Sequence, residues 1–124
     1  MSTLDRVAHG VAVSVPAGLL LVGSAVPLPV DRTPDFGPLG PDKFLHLVGH
    51  AWLTAALVHV IDADGHAPGR AAALAVALSV GYGLATERLQ EAVPGREFEW
   101  PDVAAGLLGS VLVVLAGRRR PRGA

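Results

Sequence analysis

The 124-residue chain has no cysteine. That excludes a disulfide framework, a thiolate nucleophile and any zinc site built on sulfur. Aromatic residues are scarce at 5%, and charged residues make up only 17%, where an ordinary globular domain carries about a quarter. Neither sign dominates: ten Lys and Arg stand against eleven Asp and Glu, for a net charge of −1. Nucleic-acid binding calls for a basic face, so no nucleic-acid partner is expected. The few charges that exist are not spread evenly. The span ERLQEAVPGREFEWPDV, residues 87–103, collects a large share of them between two apolar runs.

What the chain does have is apolar length, with 51% hydrophobic residues and a mean hydropathy of +0.45. Residues 7–30, 44–61, 71–86 and 103–117 contain no Asp, Glu, Lys or Arg. A helix needs about 20 mostly apolar residues to cross the hydrocarbon of a bilayer. The first block has that length alone, and the others reach it with their flanks. Each block is apolar on all sides, whereas a helix of a soluble bundle has one apolar stripe and a charged face opposite. The linkers DRTPDFGPLGPDK, DADGHAPGR and EAVPGREFEWPD carry loop signals. The expectation is a single all-α domain over residues 1–124. It is a four-helix transmembrane bundle with helices at about 6–28, 42–61, 69–91 and 101–117. A cleaved signal peptide is the weaker alternative for the first block. Asp5 cancels Arg6, and the apolar run continues past Gly23 and Ala25.

Lys and Arg near helix ends set orientation. Four crossings place both termini with the 62–70 loop, and that side holds Arg6, Arg70, Arg118, Arg119, Arg120 and Arg122. The opposite side holds Arg32, Lys43 and Arg96, with Arg88 nearby. The expected location is therefore the cell membrane, multi-pass, with both termini cytoplasmic and an acidic outer face.

Alternating helix direction brings the outer ends of the second, third and fourth helices to one depth. Asp42, His46 and His50 recur every four residues on the second helix. Glu87, Gln90 and Glu91 share one face of the third. Pro94-Gly95 turns the chain, Arg96 follows, and Asp102 falls in the first turn of the fourth helix, where a carboxylate meets the positive end of the dipole. An ionisable group within a membrane helix faces the bundle interior and has a partner. Asp42, Lys43, His46, Glu87, Gln90, Arg96 and Asp102 are accordingly expected in one pocket below the outer surface. Arg96 is expected to pair with Asp102, and Lys43 with Asp42 or Glu87. In a binding site, Lys43 and Arg96 would hold an anion and Glu87 or His46 would move a proton. His46 and His50 have the spacing to share a zinc ion with Glu87. The HxxxH pattern is common and the Glu of the zincin motif is missing, so no metal or cofactor is expected. Gly10, Ser14 and Gly18, together with Ser79–Gly83 and Gly106–Ser110, have the small-xxx-small spacing of close helix contacts. Trp52, well inside the second helix, is expected to pack, and Trp100 to lie at the interface.

DKFLH (42–46), ERLQ (87–90), PGREFEWPDV (94–103) and Gly109 resemble the VanZ-like family of small integral membrane proteins. The family's pattern is Asp-Lys-x-x-His at the start of the second helix and Glu-x-x-Gln at the end of the third. An Arg, an Asp, an Asn and glycines then lead into the fourth. The resemblance spans about residues 42–110. It departs at Gly106, where the family has Asn, and at His50, where an aromatic is frequent. Its named member is associated with resistance to the glycopeptide antibiotic teicoplanin. The resemblance implies an envelope or glycopeptide-antibiotic-related role, with membrane lipids as partners and a lipid-linked or anionic ligand at the outer leaflet. Two readings stay open: a non-catalytic membrane factor, and a small membrane enzyme acting on a lipid-linked or phosphate-bearing substrate. A homo-oligomer is compatible with both.

Overall fold

The computed structural model describes residues 2–25, 41–95 and 97–118. It contains four α-helices: α1 Thr3–Ala25, α2 Pro41–Ala63, α3 Pro68–Gln90 and α4 Trp100–Arg118. All four expected helices are present, with ends shifted by a few residues. Arg96 and the side chain of Asp42 lie outside the described residues, as do residues 26–28 of the expected first helix.

Local chemistry explains the ends. Ser2 and Asp5 cap α1 reciprocally: the Asp5 N–H donates to Ser2 Oγ at 3.1 Å and the Ser2 N–H to Asp5 Oδ2 at 3.2 Å. α2 runs on to Ala63 because its last carbonyls are closed by the Asp64 and Gly65 amides, with Gly65 at φ +92°. Pro68 starts α3 where a missing N–H costs nothing. α3 ends in a turn in which the Ala92 and Val93 amides reach Leu89 and Gln90, and Gly95 adopts φ +80°.

The helices alternate in direction. α2 is the hub and touches the other three, whereas α1 meets α2 and α3 but not α4 among the described residues. Along α1, His9 lies edge-on to His59 of α2 at 5.3 Å, and Leu20 fills the place where Gly49 lacks a side chain. The Tyr82 hydroxyl donates to the Ala17 carbonyl at 2.5 Å, tying α1 to α3. α2 and α4 approach each other closely at Gly109, where a Cβ would strike the Leu47 carbonyl oxygen.

Burial is inverted relative to a water-soluble bundle. Ser24, His46, His50, Thr54, Ser79, Thr86, Glu87, Gln90, Asp102 and Ser110 are buried, while Val7, Leu19, Phe44, Leu78, Leu108 and Leu112 point outward. Each helix is long and apolar enough to cross a membrane, with mean hydropathy from 1.2 to 1.7 over its span. The protein is a four-helix transmembrane bundle. Small residues form its seams: Ala71, Ala75, Ser79 and Gly83 are all buried along α3, and Gly106, Gly109 and Ser110 along α4. The Ser79–Gly83 and Gly106–Ser110 spacings thus mark real contacts. Gly10 and Gly18 do not, since a Cβ at either would meet nothing within 4 Å. Trp52 is 47% exposed and faces away from the bundle, which corrects the expectation that it packs inside. Its position places it on the outward face of α2, opposite His50 and Thr54.

Candidate functional site

The end of the bundle where α2 begins and α3 finishes gathers the ionisable residues. Lys43 and His46 occupy the first turns of α2, Glu87 and Gln90 the last turn of α3, and Asp102 the first turn of α4. His46, Glu87, Gln90 and Asp102 are all at most 1% exposed. Such burial is affordable in hydrocarbon only if the groups satisfy one another.

Close pairs meet part of that demand, and Glu87 Oε1 and Gln90 Oε1 receive no hydrogen bond of good geometry from the described residues. His46 Nε2 is 3.2 Å from Glu87 Oε1 and 3.9 Å from Asp102 Oδ2. Lys43 Nζ sits 2.9 Å from Asp102 Oδ1 and 3.3 Å from Glu99 Oε2. The Glu99 N–H donates to Glu87 Oε2 at 3.0 Å, and Gln90 Nε2 donates to the Glu97 carbonyl at 2.7 Å. The end of α3 therefore pins the linker that leads to α4. The Asp102 amide in turn bonds the Glu99 carbonyl at 3.1 Å, which fixes the carboxylate at the helix N-terminus.

Of the residues expected in the pocket, Lys43, His46, Glu87, Gln90 and Asp102 come together at this end of the bundle. The expected pairs Arg96–Asp102 and Lys43–Asp42 involve groups outside the described residues. Lys43 takes Asp102 and Glu99, and Glu87 takes His46. Glu91 shares Glu87's helix face by spacing, yet it is exposed and pairs with Arg88 at 3.6 Å. Arg88 also lies over the Phe98 ring at 5.4 Å. Glu99 was not singled out by the sequence, because its role arises from the linker folding back and not from any helix period.

A second polar tract continues from this end toward the middle of the bundle. The His50 ring stacks near that of His46, with centroids 6.2 Å apart. His50 Nδ1 lies 2.8 Å from Ser79 Oγ, Ser110 Oγ donates to Ser79 Oγ at 3.1 Å, and Thr54 Oγ1 donates to Ser110 Oγ at 2.7 Å. With Ser79 accepting from Ser110, its own proton is left for His50 Nδ1. His50 thus turns away from Glu87, and its ring fills the space beside Gly83 and Gly106. Sequence spacing gave no sign of Thr54, since a lone threonine in an apolar run reads as helix packing.

A cavity of about 710 Å³ opens at the opposite end, lined by Val58, Ala72, Val113 and Val114 with Asp62 and Arg118 at its edge. It is separate from the ionisable cluster.

The chain matches no family model, no curated protein and no solved structure.

Proposed function

We propose that the protein is a VanZ-like factor of the cell membrane, with both termini cytoplasmic and the ionisable cluster at the outer leaflet. In this reading it serves envelope physiology, including the response to glycopeptide antibiotics, without catalysing a reaction. The observation that carries the non-catalytic reading is burial. His46, Glu87 and Asp102 are closed off at 1% exposure or less, and Lys43 is held by two carboxylates. A substrate anion would have to displace those carboxylates to reach the ammonium group. The cluster then acts as a lock that holds three helix ends and the 91–99 linker in one arrangement.

The resemblance gains support from its own departures. His50 and Gly106 are the two positions that differ from the VanZ-like pattern, and they are in contact: a Cβ on Gly106 would sit 2.7 Å from His50 Cδ2. The imidazole occupies room that the glycine leaves, so the two changes read as one compensated exchange.

Glu87→Gln separates this reading from the enzymatic one, in which the cluster processes a lipid-linked or phosphate-bearing substrate. The change keeps the side chain's shape and removes its charge. A lock predicts that membrane abundance and thermal stability fall together with any glycopeptide-susceptibility phenotype. Normal abundance and stability with complete loss of the phenotype would favour the enzyme.

A further inference from the structure

Three polar atoms from three different helices converge within the cluster: His46 Nε2 from α2, a Glu87 carboxylate oxygen from α3 and an Asp102 carboxylate oxygen from α4. They all lie within 4.8 Å of one another. A zinc ion holds nitrogen and oxygen ligands at about 2.0–2.2 Å, which sets tetrahedral neighbours about 3.4 Å apart. The distances from His46 Nε2, 3.2 Å to Glu87 and 3.9 Å to Asp102, fall on either side of that value. We propose that His46, Glu87 and Asp102 form a binding site for a divalent transition-metal ion that clamps α2, α3 and α4 together. The proposal rests on the lock reading above and specifies what completes it.

The ligand atoms are aimed by a surrounding shell. Glu87 Oε2 accepts the Glu99 amide and Asp102 Oδ1 faces the Lys43 ammonium, which leaves Glu87 Oε1 and Asp102 Oδ2 turned toward His46. Metal sites orient their first ligands by such outer contacts. Independently, Glu87 Oε1 is buried and receives no hydrogen bond of good geometry from any described residue, although His46 Nε2 is nearby. It is an acceptor pointed at the centre of the site.

Charge leads the same way. Glu87 is fully buried, and its ion-pair contact among the described residues is a histidine. A divalent ion would bind the neutral imidazole and bring a full positive charge to Glu87, releasing the imidazole proton if one is held. One imidazole and two carboxylates suit zinc, manganese or ferrous iron, and three protein ligands leave one position open for water. The site differs from the His46–His50 pair that sequence spacing brings to mind. His50 is engaged by Ser79, and Asp102 takes its place.

The test uses the full chain purified in detergent, stripped with a chelator and titrated with zinc by calorimetry, with cobalt as a spectroscopic probe. Binding near one ion per chain is expected, with a rise in Tm and a visible cobalt band of low coordination number. Asp102→Asn and Glu87→Gln are expected to weaken binding by about tenfold or more. Glu87→His, which restores a ligand, and His59→Ala, which removes the other histidine pair, are expected to retain it. Absence of zinc, manganese or cobalt binding by the unmutated chain, with no change in Tm, overturns the proposal without needing any variant to fold. Binding that survives Asp102→Asn or is lost in His59→Ala also overturns it. The lock reading fails separately, if metal-free Glu87→Gln is as stable as the metal-free parent.

Discussion

Gly109 and Gly117 both lie on α4, yet they stand at opposite extremes of tolerance. A Cβ on Gly109 would run into the Leu47 carbonyl and crowd the Ala51 amide at 3.3 Å, and backbone atoms cannot swing aside. At Gly117 nothing lies within 4 Å. Gly109→Ala is therefore expected to destabilise the bundle by about 1–3 kcal/mol or more, the range for overpacking a tight contact. Gly117→Ala should leave it unchanged or slightly more stable, through higher helix propensity. Thermal unfolding in detergent measures both. At this scale the sequence pointed to which residues meet and left their pairing open. Helical spacing put His46 and, on α3, Glu87 and Gln90 on converging faces, and the first turn of α4 placed Asp102 at the same depth. It could not choose Asp102 over Glu87 as the partner of Lys43, because that choice depends on the axial offset between α2 and α4. Gly109 drew notice only through the family pattern, while its physical reason is the carbonyl it abuts.

Among the elements, the 91–99 linker shows how a loop becomes part of a site. Gln90 Nε2 holds the Glu97 carbonyl and Glu87 Oε2 holds the Glu99 amide, so the last turn of α3 sets where α4 begins. Gln90→Ala removes one of those ties. It is expected to cost about 0.5–1.5 kcal/mol and to speed hydrogen exchange at Glu97–Trp100 while leaving the middle of α4 protected. Equal protection in both chains would show that the tie carries nothing. The helices themselves were legible as uninterrupted apolar runs between Pro- and Gly-rich linkers. Their rotation was legible only in part. Ser79–Gly83 and Gly106–Ser110 mark true seams, whereas at the same spacing a Cβ on Gly10 or Gly18 would meet nothing within 4 Å and Ser14 is exposed. The spacing reports that a close approach is sterically permitted, and only the packing of the other helices decides whether it is used. Trp52 was misplaced for a related reason: depth along a membrane helix says nothing about which way a side chain points.

For the molecule as a whole, polar groups lie inside and apolar ones outside, so lipid and not water completes the surface. The lack of cysteine makes its topology directly measurable, since any introduced thiol is the sole one. Thiols at Ser2 and Asp64 are expected to react with an impermeant reagent from the same side of the membrane, and a thiol at Glu97 from the other. With the proposed orientation, only the Glu97 position is labelled in intact cells. Labelling of Asp64 and Glu97 from one side would overturn the four-span arrangement.

The clustering of groups from α2, α3 and α4 also constrains how the chain is made. Lys43 and His46 leave the ribosome well before Glu87, and Asp102 emerges later still. Until then Lys43, His46 and His50 of α2 wait for the groups that its later neighbours supply, which makes the helix a poor candidate for release into lipid by itself. Newly made α2 is thus expected to stay beside the insertion machinery until α4 has been synthesised, so that partitioning of the last three helices becomes a single late event. A chain truncated after Gly95 should be crosslinked to that machinery for longer than the full chain, and equal residence times would refute the coupling.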